Sequence, residues 1–146
     1  MKIIFSTGSG NKIYLLENDE EIVFLIKKND KEQTISLRKE SILLCSGDSG
    51  TCFVSDGYEL FYIHNGLIDR IYEASYRIYE LIYVAGAAFV IDENILISVD
   101  NNGKLMWQYW HYEPIDKVSV DKDCVEFVDE NNSSFRVSVK DGKLLK

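Results

Sequence analysis

Residues 87–110, AAFVIDENILISVDNNGKLMWQYW, contain three short runs of branched and aromatic residues, 87–92, 95–100 and 104–110, parted by polar turns. Runs of this length and composition read as strands. The Asn102-Gly103 pair between the last two suits a hairpin turn in which both central residues need positive φ. A further strand over 77–84 completes a four-stranded meander.

The pattern recurs. Phe89-Val90-Ile91-Asp92 is echoed 36 residues earlier by Phe53-Val54-Ser55-Asp56 and 38 residues later by Phe127-Val128-Asp129. The turns Asn65-Gly66, Asn102-Gly103 and Asp141-Gly142 keep nearly the same spacing, 37 and 39 residues. Leu15-Leu16-Glu17-Asn18-Asp19 stands as a degenerate fourth copy. In the last copy the strands fall at 115–121, 124–129, 134–139 and 143–146. Units near 1–39, 41–75, 76–112 and 114–146 account for the chain as a single all-β domain of four repeats. A four-stranded meander repeated at about forty residues is the sequence signature of a propeller blade.

The piece LISVDNNGKLMWQYW (96–110) resembles the end of a repeat in pyrroloquinoline-quinone-type and WD-type propellers, and FRVSVKDGKLLK (135–146) repeats it without the Trp. The resemblance implies four antiparallel meanders in a small β-propeller or propeller-like arc. It carries no quinone site. Four blades are few for a closed ring, so a homo-oligomer in which a second copy completes the arc is compatible with the pattern. One segment is ambiguous. Over 67–84, Ile68, Ile71, Tyr72, Tyr76, Tyr79, Ile82 and Tyr83 follow helical spacing about as well as strand spacing. Their β propensity and the repeat register favour strands.

The 146 residues include 16 Lys+Arg and 24 Asp+Glu, a formal charge of −8. No basic stripe exists to neutralise phosphates, so no nucleic-acid partner is expected. No apolar run approaches the length of a membrane span, and an anionic membrane surface would repel the chain. The N-terminal MKIIFSTGSGNKIY is too weakly apolar for a signal peptide. Three cysteines, Cys45, Cys52 and Cys124, cannot all pair within one chain, and they read as reduced thiols of a cytoplasmic protein.

The candidate chemical motifs are weak. Gly8-Ser9-Gly10-Asn11-Lys12 lacks the length and the following helix of a phosphate loop. Asp100-Asn101-Asn102-Gly103 and Asp121-Lys122-Asp123 lack the ligand spacing of a calcium loop. His64 and His111 have no spacing that joins them to each other or to a cysteine nucleophile. Neither a metal nor a cofactor is expected, and the chain is not expected to be an enzyme.

The acidic residues are better organised. The turn between the second and third strands is acidic in every copy: Glu17, Asp19, Glu20 and Glu21; Asp56 and Glu59; Asp92 and Glu93; Asp129 and Glu130. Equivalent propeller loops emerge on one face, so these ten carboxylates are the candidate contact surface for a cationic protein partner. Exposed turn charges are expected to tolerate reversal without loss of the fold. At the level of class, the chain is similar to small acidic bacterial immunity proteins. That likeness implies an inhibitor-type binding module that neutralises a cationic, nuclease-like toxin. The alternative is a propeller-type scaffold or a sugar- or nucleotide-binding domain that stacks its ligand on Trp107, Tyr109 and Trp110.

Overall fold

A computed structural model describes residues 2–6, 12–17, 21–28, 31–38, 43–46, 51–64 and 67–145. Its strands form four antiparallel sheets, each paired in simple sequence order. The first holds β1 (Lys2–Ser6), β2 (Lys12–Glu17), β3 (Glu21–Lys28) and β4 (Lys31–Arg38). The second holds β5 (Leu43–Ser46), β6 (Cys52–Ser55), β7 (Glu59–His64) and β8 (Leu67–Glu73). The third holds β9 (Glu80–Val84), β10 (Ala87–Ile91), β11 (Ile95–Asp100) and β12 (Leu105–Trp110). The fourth holds β13 (Ile115–Val120), β14 (Cys124–Asp129), β15 (Ser134–Ser138) and β16 (Leu144–Leu145). The chain divides into two compact units, Met1–Glu73 and Ala74–Lys146, with two sheets in each.

No helix occurs among the described residues. The ambiguous 67–84 segment is β8, an irregular stretch and then β9. A β-bulge explains its false helical spacing. Leu60 pairs with Tyr72 and Phe61 with Arg70, which leaves Ile71 as an extra residue. Ile71 and Tyr72 are therefore both half-buried, and the period of two breaks.

In the first unit β6 and β7 are buried on both faces, with Phe53, Val54, Leu60 and Ile63 at 1% exposure or less. The register sets Cys45 opposite Phe53 and Cys52 opposite Ser46, so the two cysteines are not a cross-strand pair. Cys52 and Cys124 are buried and form no disulfide.

The second unit has a core between its two sheets. Phe89, Ile91 and Leu96 from the third sheet meet Ile115, Val125, Phe127 and Val137 from the fourth. Phe89 and Phe127, which the sequence aligns as repeats of one another, thus project from facing sheets into the same core. Side chains alternate faces along a strand, so these two residues occupy opposite registers. The equivalent pair is Asp92 and Asp129, 37 residues apart. On that register Phe89 and Ile91 correspond to Glu126 and Val128. The third sheet buries its other face too, through Ala88, Val90, Ile97 and Val99. The fourth does not, because Lys117, Ser119, Glu126, Ser134 and Arg136 are all exposed there.

Candidate functional site

Aspartate opens the turn between the second and third strands in the second, third and fourth sheets, and the backbone uses its carboxylate. An Asp side chain of this length reaches the N–H groups two to four residues ahead, closing an Asx-type turn. Asp56 Oδ1 accepts from Tyr58 N and Glu59 N at 3.0 and 2.8 Å. Asp92 Oδ1 accepts from Asn94 N and Ile95 N at 3.1 and 2.8 Å. Asp129 Oδ1 accepts from Asn131 N and Ser133 N at 2.9 and 3.0 Å. The supposed calcium segments work the same way: Asp100 binds Asn102 N and Lys104 N, and Asp121 binds Asp123 N and Cys124 N. Those backbone donors hold the Asp121 carboxyl below its usual range.

The second oxygens of Asp92 and Asp129 meet different fates. Asp129 Oδ2 accepts from His111 Nε2 at 3.0 Å, and both side chains are essentially sealed from water. The Tyr109 hydroxyl lies 3.1 Å from His111 Nδ1, and the Phe127 and Phe135 rings approach the imidazole edge-on. The hydrogen bond from His111, ahead of those from Ser133 and Asn131, holds the Asp129 carboxyl below its usual range against the cost of burial. Asp92 Oδ2 has no partner, and burial pushes its carboxyl up. His111 directly follows β12. The residue that directly follows β8 is Ala74, so the repeat lacks an imidazole at the corresponding point.

A raised folded-state pKa stabilises the protein below the unfolded value and loses that contribution as pH rises through the folded value. Asp92→Asn is therefore expected to raise the urea midpoint at neutral pH and to flatten its decline with rising pH. An unchanged pH profile would mean that Asp92 carries no burial penalty.

The residues 111–115 strap the two turns of the second unit together. His111 N donates to Asn94 O at 2.8 Å, Ile115 N to Glu93 O at 2.8 Å, and Glu130 N to Pro114 O at 2.9 Å. The Tyr79 hydroxyl donates to Ile115 O at 2.7 Å. Burial raises the Tyr79 pKa, and the nearby carboxylates of Glu80, Asp116 and Asp92 push it further. The result is a rim that presents Glu93, Asp116 and Glu130, with Glu113 half-buried among them. Trp110 and Tyr112 stand beside these carboxylates in sequence, at 64% and 74% exposure. Exposed aromatic faces next to carboxylates suit Lys or Arg side chains, through cation–π contact and ion pairing together.

Of the ten carboxylates expected at a contact surface, the structure gathers Glu93 and Glu130. Asp92 and Asp129 sit in the same turns at 1% exposure, turned inward on the backbone. Charge reversal there would place a cation in the interior, so the expected tolerance holds only for the two glutamates. In the first unit Asp56 is committed to its turn, and Glu59 accepts from Arg70 at 3.0 Å. Glu17 closes β2, and Glu21 opens β3 opposite Arg38. Asp19 and Glu20 lie outside the described residues. The sequence reading missed Tyr112, Glu113 and Asp116, although the only proline, Pro114, marks the strap that carries them.

The aromatic strand does not form a stacking platform. Trp107 and Tyr109 pack against the core, and Trp107 Nε1 donates to Val139 O at 2.8 Å. Trp110 alone of the three faces outward, as alternation along β12 requires. Burial raises the Cys124 thiol pKa, the reverse of what activates a nucleophile. Among the described residues no group of three His, Cys, Asp or Glu side chains could hold a metal ion. His64 lies in the first unit, stacked on Tyr62 and 3.4 Å from Asp69.

No family model and no curated protein sequence matches the chain. Solved structures do. BamB from Moraxella catarrhalis superposes on 91% of this chain and 47% of its own length, at 13% identity and a TM-score of 0.56. The WD40 domain of Toxoplasma gondii coronin covers 92% and 42%, at 9% identity and 0.59. BBS1N, solved in complex with ARL6DN, covers 99% and 52%, at 13% identity and 0.59. The chain thus spans about half the length of each of these proteins. Such low identities carry the fold alone. The sixteen strands among the described residues, in sequential meanders, and these superpositions together establish an all-β, propeller-like fold.

Proposed function

We propose that the chain is a non-enzymatic protein-binding module, built on propeller-type blades, that takes a cationic protein partner on the rim around residues 110–116. The observation that carries this reading is the strapping of Glu93 and Glu130 beside exposed Trp110 and Tyr112 by backbone hydrogen bonds. Rigid aromatic anchors within a field of one sign are the composition of a binding hot spot. The net charge of −8 steers a basic surface toward it from a distance. Inhibition of a nuclease-like toxin is the inhibitor-type form of this function, since a nucleic-acid cleft is itself a cationic surface that an acidic rim can cover. BBS1N, a structural neighbour solved with a protein partner, is consistent with a binding role for the fold.

The test is stopped-flow association with a basic nuclease, repeated across a salt series. Glu93→Lys with Glu130→Lys is expected to slow association about tenfold at low salt and to flatten the salt dependence, because rim charges act mainly on the on-rate. Tyr112→Ala is expected to speed dissociation, at a cost of about 2 kcal/mol in affinity. Unchanged kinetics in all these variants would remove the rim from the function.

A further inference from the structure

We propose a second docking surface, for a short acidic peptide segment of a partner protein, on the outward face of the fourth sheet. A groove of about 430 Å³ crosses this face. Strand register fixes its floor in two rows. One runs Ser119, Glu126, Arg136 and Leu145, and the other Lys117, Val128 and Ser134.

Three observations select the occupant. First, the face is built for a polar partner. Where the third sheet places Phe89 and Ile91 against its neighbour, the fourth places Glu126 and Val128 in the groove, with exposed Lys117 and Arg136 beside them. A further sheet packed flat here, from a second copy of the chain, would bury these charges without compensation. Second, the cations are unspent. Among the described residues no carboxylate lies within ion-pair distance of Lys117 or Arg136, although the chain has eight more acidic than basic side chains. Arg136 stands opposite Glu126 in register and forms no salt bridge with it. Third, the dimensions suit a peptide. Four strands about 4.8 Å apart span roughly 14 Å, which an extended segment of about four residues covers. Ser119 and Ser134 offer hydroxyl donors, and Val128 and Leu145 supply apolar floor between the charges. With the acidic rim, the second unit then engages partners of opposite sign on two surfaces.

The experiment uses the full chain, ¹⁵N-labelled, titrated with an acetylated tetraglutamate amide and separately with the tetralysine equivalent. Saturable amide shifts at Lys117, Ser119 and Arg136 are expected with tetraglutamate alone, fading as salt is raised. Lys117→Gln with Arg136→Gln is expected to weaken them at least tenfold while the spectrum stays dispersed. Glu126→Gln removes the one like charge in the groove and is expected to tighten binding about threefold. The Glu93→Lys, Glu130→Lys variant should leave tetraglutamate shifts at these amides in place, which separates this surface from the rim. The proposal is overturned if tetraglutamate leaves these amides unmoved, if tetralysine moves them equally, or if they shift instead with concentration of the chain alone.

Discussion

His111→Ala is expected to destabilise the protein by about 3–5 kcal/mol, the cost of breaking a buried polar pair from one side. The substitution leaves Asp129 Oδ2 in an interior walled by Phe127 and Phe135, with nothing to accept from. A fall in Tm of about 10 °C or more should follow, and calorimetry on the full chain measures it. Asp129→Ala should be at least as damaging, because the same carboxylate also closes the turn through Asn131 and Ser133. The pH dependence has a definite sign. A depressed carboxyl contributes stability above the unfolded-state value of about 3.9 and loses it as pH falls through the folded value. Wild type should therefore weaken steeply on acidification, and His111→Ala should weaken less. If the alanine variant melts with wild type, the pair contributes nothing to the fold.

Gly142→Ala is the second large effect, at about 3 kcal/mol. Gly142 is buried at φ +71°, in a region that costs a side-chain-bearing residue strain. A Cβ there would also fall well inside van der Waals contact distance of Trp107 Cε3 and Cδ2. That indole cannot readily yield, since its Nε1 is bonded to Val139 O and its ring packs on Phe89. Gly86→Ala is the internal control. Its φ is +84°, but its Cβ would meet nothing within 4 Å, so it isolates the backbone strain at about 1 kcal/mol. Urea unfolding gives both values. Tryptophan emission in a Trp110→Phe background should shift to the red for Gly142→Ala alone. Equal costs for the two alanines would mean that Trp107 moves aside freely.

Much of the fold was legible because turn chemistry is local. Asn102-Gly103 and Asp141-Gly142 announce hairpins, and both glycines adopt positive φ, but Asn102 and Asp141 do not. The expected turn with two positive φ values occurs instead at Ala85-Gly86. The phase of the repeat was harder to see. Aligning Phe89 with Phe127 matches residue type and misses that the two face each other across a core. The turns at Asp92 and Asp129 fall between the second and third strands of their sheets, but their aspartates were assigned to solvent. Whether a turn carboxylate looks outward or caps the backbone is decided by the N–H groups ahead of it, which composition does not show. The His111–Asp129 pair lay beyond reach for another reason: it joins adjacent sheets across 18 residues, and no periodicity within one strand encodes it.

A single residue is surplus to the frame of β13. Ile115 pairs with Asp129 and Lys117 with Val128, so Asp116 is an unmatched insertion in the ladder. With the surplus residue between them, Ile115 reaches the core while Lys117 turns to the opposite face. Position 116 is therefore a place in β13 where the number of residues can change while the frame does not. Substitution there keeps the frame. Deletion would join Ile115 directly to Lys117 in a regular ladder, with Ile115 still opposite Asp129 and Lys117 still opposite Val128, so inside and outside are kept. Divergence at this point is thus permissive in length as well as in composition, a tolerance that alanine scanning passes over and that only a deletion reveals.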